Sequence, residues 1–156
     1  MEAFEEFCKV VAALRGEHGC PWDRAQTFES LKPCMANEMT EALAGIDLYQ
    51  ASGNAENLCE ELGDVLLQVV LLAQIAQEEG LFTIEDVIRG ISQKMVRRHP
   101  HVFGDAQTPA RTEEVPGLWE EIKRAEKQGK TPEDTEREKQ AFRTAAAWVI
   151  AHLSSV

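Results

Sequence analysis

Four carboxylates at helical spacing are the groups in this chain best suited to chemistry. Glu61 and Asp64 stand three residues apart within Glu60-Glu61-Leu62-Gly63-Asp64, and Glu38 and Glu41 repeat the interval within Asn37-Glu38-Met39-Thr40-Glu41. Residues three apart on a helix project from one face, so two such helices packed together would pool four acids. Two unit charges about 4 Å apart repel by roughly 4 kcal/mol at an effective dielectric near 20. Pooled acids therefore call for protonation or for a cation. All four offer hard oxygen, and none of the chain's four histidines lies in these segments, which suits Mg²⁺, with Mn²⁺ as the alternative, better than zinc. A lone Glu-x-x-Asp reads more simply as a solvated helix face; two pairs, each beside an apolar run, favour the metal site.

The elements that must carry these acids are helices. After Asp64, residues Val65, Leu66, Leu67, Val69, Val70, Leu71, Leu72 and Ile75 cover nearly every direction around a helix axis, the pattern of a helix buried on most sides. This central helix is expected from about Glu56 to Gly80. A preceding helix carrying Glu38 and Glu41 is expected from about Pro33 to Tyr49, joined through the turn Ala51-Ser52-Gly53-Asn54, and so short a connection makes the two antiparallel neighbours. Residues 2 to 15 form an amphipathic first helix, with Phe4, Phe7, Val10, Val11 and Leu14 at three- and four-residue spacing, and Gly19-Cys20-Pro21-Trp22-Asp23 breaks it. A fourth helix, 84 to 98, ends in the basic cluster Lys94, Arg97, Arg98, His99 and His101. A loop over 104 to 116 and a short helix, 118 to 124, follow. A polar linker then leads from 128 into a last helix, about Pro132 to Leu153, with Phe142, Ala145, Ala146, Val149 and Leu153 on one stripe. No stretch alternates with period two, so the fold class is all-α, an antiparallel helical bundle.

The 156 residues suffice for one domain with a real core, and 44% are hydrophobic. The net charge of −11 argues against the broad phosphate-neutralising surface that duplex nucleic acid requires. Cys8, Cys20, Cys34 and Cys59 form no C-x-x-C pair, which reads as free thiols in a reducing compartment. The acidic N-terminus lacks the apolar length of a signal peptide, and Gln68 and Gln74 interrupt the central run before membrane-spanning length. A cytoplasmic protein with no membrane partner is expected.

Taken in order, Cys20-Pro21-Trp22-Asp23 with Gln26-Thr27, then Glu38-x-x-Glu41, then Glu60-Glu61-Leu62-Gly63-Asp64, then Arg97-Arg98-His99-Pro100-His101-Val102-Phe103 resembles the MazG-type nucleoside triphosphate pyrophosphohydrolases. The resemblance covers roughly residues 5 to 127. It implies a MazG-like bundle that dimerises, as a homodimer or a dimer of dimers, and Mg²⁺-dependent hydrolysis of nucleoside triphosphates to monophosphate and pyrophosphate, removing unwanted nucleotides. On this resemblance residues 1–127 form the pyrophosphohydrolase domain, and 128–156 add a linker and helix of no recognised role. The family's metal ligands fall on Glu38, Glu41, Glu61 and Asp64, and of these carboxylates Glu38 or Glu41 is the expected catalytic base that takes the water's proton. Its phosphate-binding cations fall on Lys94 and Arg98, and its nucleotide-contacting W-x-x-x-K on Trp119 and Lys123. Those roles make physical sense, since cations neutralise phosphate and an indole offers a flat face to a base; Trp119 as ordinary core is the competing reading. The chain departs from the family's E-E-x-x-E at Asn37, an amide in place of the first acid. That departure and the unmatched tail motivate a second reading, a nucleotide-binding regulatory module with little or no turnover. A ferritin-like di-iron centre would need Glu-x-x-His, and no histidine stands three after either acid pair.

Overall fold

The computed structural model describes residues 2–104, 115–126, 129 and 131–155. Its elements are α1 (Glu2–Arg15), α2 (Pro21–Arg24), α3 (Leu31–Ser52), α4 (Glu56–Glu78), α5 (Ile84–Arg98), α6 (Pro100–Phe103), α7 (Val115–Glu126) and α8 (Pro132–Leu153). No strand occurs among the described residues, and the class is all-α.

The chain divides into two compact units, one of residues 1–84 with 149–156, the other of residues 85–148. In the first, α3 and α4 form an antiparallel hairpin against which α1 packs. The core is Val11 of α1, Leu31 of α3 and Val70, Leu71 and Ile75 of α4, with Phe4, Phe7, Cys34, Leu67 and Leu72 packed around it. Two left-handed glycines set the hairpin's length. Gly53, at φ 74°, ends α3 with its N–H on the Tyr49 carbonyl. Gly80, at φ 71°, ends α4 by a Schellman motif in which Leu81 N–H reaches Ala76 O and Gly80 N–H reaches Gln77 O. Gly45 lets α3 and α4 approach closely: a Cβ on this buried glycine would stand 3.1 Å from Leu58 Cα and 3.2 Å from Asn57 Oδ1.

Helix α3 begins at Leu31, two residues before the expected start, because a proline in the first turn surrenders only an N–H that has no intrahelical partner. It also runs past Tyr49 to Ser52, where Gly53 supplies the stop. The expected break at 19–23 contains a helical turn of its own, α2, with Pro21 opening it. Arg15 fixes that corner: its guanidinium, 7% exposed, pairs with Glu78 at 2.6 Å and donates to the carbonyls of Asp23 and Gln26. Helix α7 starts at Val115, inside what the sequence reads as loop; residues 105–114 of that loop lie outside the described residues, as do 127, 128 and 130 of the linker. The α4 run is buried at Val70, Leu71 and Ile75, but Leu66 stays 41% exposed. On α8, the stripe residue Phe142 is 75% exposed, whereas Ala146, Val149 and Leu153 are half-buried. Among the described residues no helix is long and apolar enough to cross a membrane.

Candidate functional site

In the first unit the hairpin brings Glu38 of α3 together with Glu61 and Asp64 of α4, one carboxylate oxygen of each lying within 4.8 Å of the others. The antiparallel pairing puts the middle of α3 opposite the first half of α4, and each acid stands on the side of its helix that faces the other. Glu61 is buried, and Glu38 and Asp64 are half-buried. Glu41, one turn beyond Glu38, is exposed and is not one of the three, yet its charge is felt: Glu38 is held above the ordinary carboxylate value by burial first, then by Asp64, Glu41 and Glu61.

Asn57, which no motif singles out, donates an N–H from Nδ2 to Glu61 Oε1 at 2.9 Å. Its signal was local, an amide one turn before an acid on one helix face. One amide donor cannot balance three carboxylates. Gln68 lies one turn after Asp64 on α4, buried, and its Oε1 has no hydrogen-bond partner among the described residues. Surplus negative charge, all-oxygen donors and an orphaned buried oxygen on the same stretch of helix fit a hard divalent cation with its waters. They do not fit a soft-ligand metal.

Asn37 holds a contact no sequence pattern announces. Its Oδ1 accepts a hydrogen bond from His152 Nε2 at 3.0 Å, across 115 positions of chain.

The second unit contains the cationic and aromatic residues. Arg98 and Lys123 both lie over the Trp119 indole, at 5.8 and 5.1 Å from its centroid, and the His99 ring centroid stands 5.9 Å from it. Trp119 is half-buried and its Nε1 has no hydrogen-bond partner among the described residues. His99 is held in place by donating Nδ1–H to the Met95 carbonyl at 2.7 Å. Glu126, another residue the sequence did not single out, accepts from Arg97 Nε at 2.7 Å and from Arg98 Nη2 at 2.6 Å. Those two guanidinium bonds pull its carboxyl down to about 2. Lys94 is exposed on α5, one turn before Arg98. Arg98, Trp119 and Lys123 are thus brought together.

Comparison with known proteins agrees with this arrangement. The family model described as the MazG nucleotide pyrophosphohydrolase domain matches residues 26–103, the span that holds all four acids. The chain is 52% identical over 124 residues to the uncharacterized protein YabN of Bacillus subtilis, covering 80% of this chain and 24% of that protein. It is 51% identical over 128 residues to the nucleoside triphosphate pyrophosphohydrolase/pyrophosphatase MazG of Thermotoga maritima, covering 80% of this chain and 45% of the relative. The match thus spans about a quarter of the length of the first relative and just under half of the second. Among solved structures, a mazG-related protein from Thermotoga maritima superposes with a TM-score of 0.59 at 27% identity, covering 80% of this chain and 99% of that one. With the motifs, the acid-bearing hairpin and the family model in agreement, the chain belongs to the MazG nucleotide pyrophosphohydrolase domain family.

Proposed function

We propose that the protein hydrolyses nucleoside triphosphates to nucleoside monophosphate and pyrophosphate, dependent on Mg²⁺ or Mn²⁺. The observation that carries this reading is the convergence of Glu38, Glu61 and Asp64 on one point between two packed helices. A divalent cation bound there supplies charge neutralisation and polarises phosphoryl oxygen. Glu61, oriented by Asn57, and Asp64 would hold the cation from α4 and Glu38 from α3, with Glu41, one turn further along α3, as a further ligand. Glu38 or Glu41 takes a proton from the attacking water. The water oxygen bonds to the α-phosphorus, the bond from that phosphorus to the α–β bridging oxygen breaks, and its electron pair leaves on pyrophosphate. Lys94, Arg98 and Lys123 neutralise phosphate charge, and Trp119 offers its face to the base.

The domain that does this spans residues 1–127, with 128–156 appended, and it works in the cytoplasm without duplex nucleic acid as a partner. It assembles as a homodimer or a dimer of dimers. Met39, Leu43 and Ile46 on α3 and Leu62 and Leu66 on α4 are between 41% and 60% exposed, at helical intervals that form an apolar stripe on each helix, as an isologous interface between two copies requires. The functional test is product identity: a panel of ribo- and deoxyribonucleoside triphosphates with Mg²⁺, resolved by ion exchange. Pyrophosphate and monophosphate are expected. Orthophosphate as sole first product, or binding without turnover as in the regulatory reading, would overturn it.

A further inference from the structure

We infer that the C-terminal end of α8 is a working part of the acid site: His152 is a positioning residue that, through Asn37, sets how the site grips a substrate phosphate. The inference rests on the reading of that site given above. Asn37 immediately precedes Glu38 and lies one turn before Glu41 on α3, so whatever orients its side chain acts at the edge of the acid cluster. What orients it is His152. An amide oxygen can only accept, so His152 Nε2 carries the proton in this 3.0 Å bond. The bond fixes which way the amide points, and with Oδ1 turned to His152 the two N–H donors on Nδ2 are held on the opposite side of the amide. Donors are what a phosphate oxygen needs at the rim of a cluster whose charged groups are all carboxylates. A carboxylate at position 37 would instead add a further charge beside Glu38, whose basicity is already raised by its neighbours. Both partners are half-buried, and the bond closes only when the last turns of α8 fold onto the first unit, to which residues 149–156 belong. Helix α8 lies outside residues 26–103, so this contact is supplied from beyond the span matched by the family model.

The test uses the full chain and three variants. His152→Phe keeps a ring and removes the donor, His152→Gln returns an N–H donor, and Asn37→Ala removes the recipient. Steady-state kinetics with Mg²⁺ and a nucleoside triphosphate, Mn²⁺ affinity by electron paramagnetic resonance, and thermal melts are measured on each. His152→Phe should raise KM about 5- to 10-fold, the effect of one lost hydrogen bond, while kcat and Mn²⁺ affinity stay within about twofold. His152→Gln should recover most of the KM, and His152→Phe should add nothing once Asn37 is alanine. An unchanged KM in His152→Phe overturns the inference, as does an equal loss in the presence and absence of the Asn37 side chain, or a KM that tracks melting temperature alone. If the wild type binds nucleotide without turnover, the pyrophosphohydrolase reading fails and the same ratios are taken on the dissociation constant of the Mg²⁺·nucleotide. If it binds no nucleotide, both fail.

Discussion

Replacing Glu61 by glutamine should make the metal-free protein more stable and the metal-bound protein less so. Two charged carboxylate oxygens within 4.8 Å of each other repel by at least about 3.5 kcal/mol at an effective dielectric of 20, and Glu61 faces two such neighbours. The realised gain is smaller. Burial and its acidic neighbours make Glu38 easier to protonate than a free carboxylate, which relieves part of the repulsion, and the bond from Asn57 weakens when its acceptor becomes neutral. A net gain of about 1 kcal/mol raises the melting temperature of a chain this size by about 2–4 °C. Mg²⁺ at a hundred times its dissociation constant adds about 2.7 kcal/mol to the wild type, a rise of about 5–10 °C. The variant should lose most of that rise and all turnover. The pH dependence carries a sign. Glu38 holds its proton to a higher pH in the fold than at its unfolded value of 4.5, so metal-free stability falls as pH rises from 4.5 through the raised value, and saturating Mg²⁺ should remove that slope. The assay is calorimetry with chelator and with Mg²⁺. A Glu61→Gln protein that melts lower without metal, yet keeps the Mg²⁺ shift and normal activity per folded molecule, would refute the metal site and make the cluster structural.

Other elements make separate predictions. Arg15→Met should cost about 2–4 kcal/mol in denaturant unfolding, because it strands two carbonyls and the Glu78 carboxylate. Glu78 is pulled below its ordinary value chiefly by the Arg15 hydrogen bond, so this contribution is present above pH 4.5 and is lost as pH falls through the lowered value; an Arg15→Met protein with unchanged acid unfolding would contradict it. Lys123→Gln should weaken nucleotide binding about three- to tenfold, the worth of one cation at an aromatic face or phosphate, with circular dichroism unchanged; calorimetric titration reads it. Leu43→Glu with Leu66→Glu should convert a species of twice 17.4 kDa to one of single mass by light scattering, and a wild type already monomeric at micromolar concentration would remove the stripe's proposed role.

Much of this protein is legible one helix at a time. The apolar spacing in residues 2–15, the glycine at 80 and the proline at 132 fix where α1 starts and where α4 and α8 stop and start, since caps and periodicity act within a few residues of one another. The same locality placed Glu38 with Glu41 and Glu61 with Asp64, three apart on their helices. What locality could not decide is how each helix is rotated against its neighbour. That rotation, set by Gly45 letting α3 close on α4, brings Glu38 to Glu61 and Asp64 and leaves Glu41 outside the 4.8 Å group. It is also why Arg15 with Glu78, Arg98 with Glu126 and His152 with Asn37 went unread: each pair joins helices 28 or more positions apart in sequence, and only the packing of the chain selects such partners.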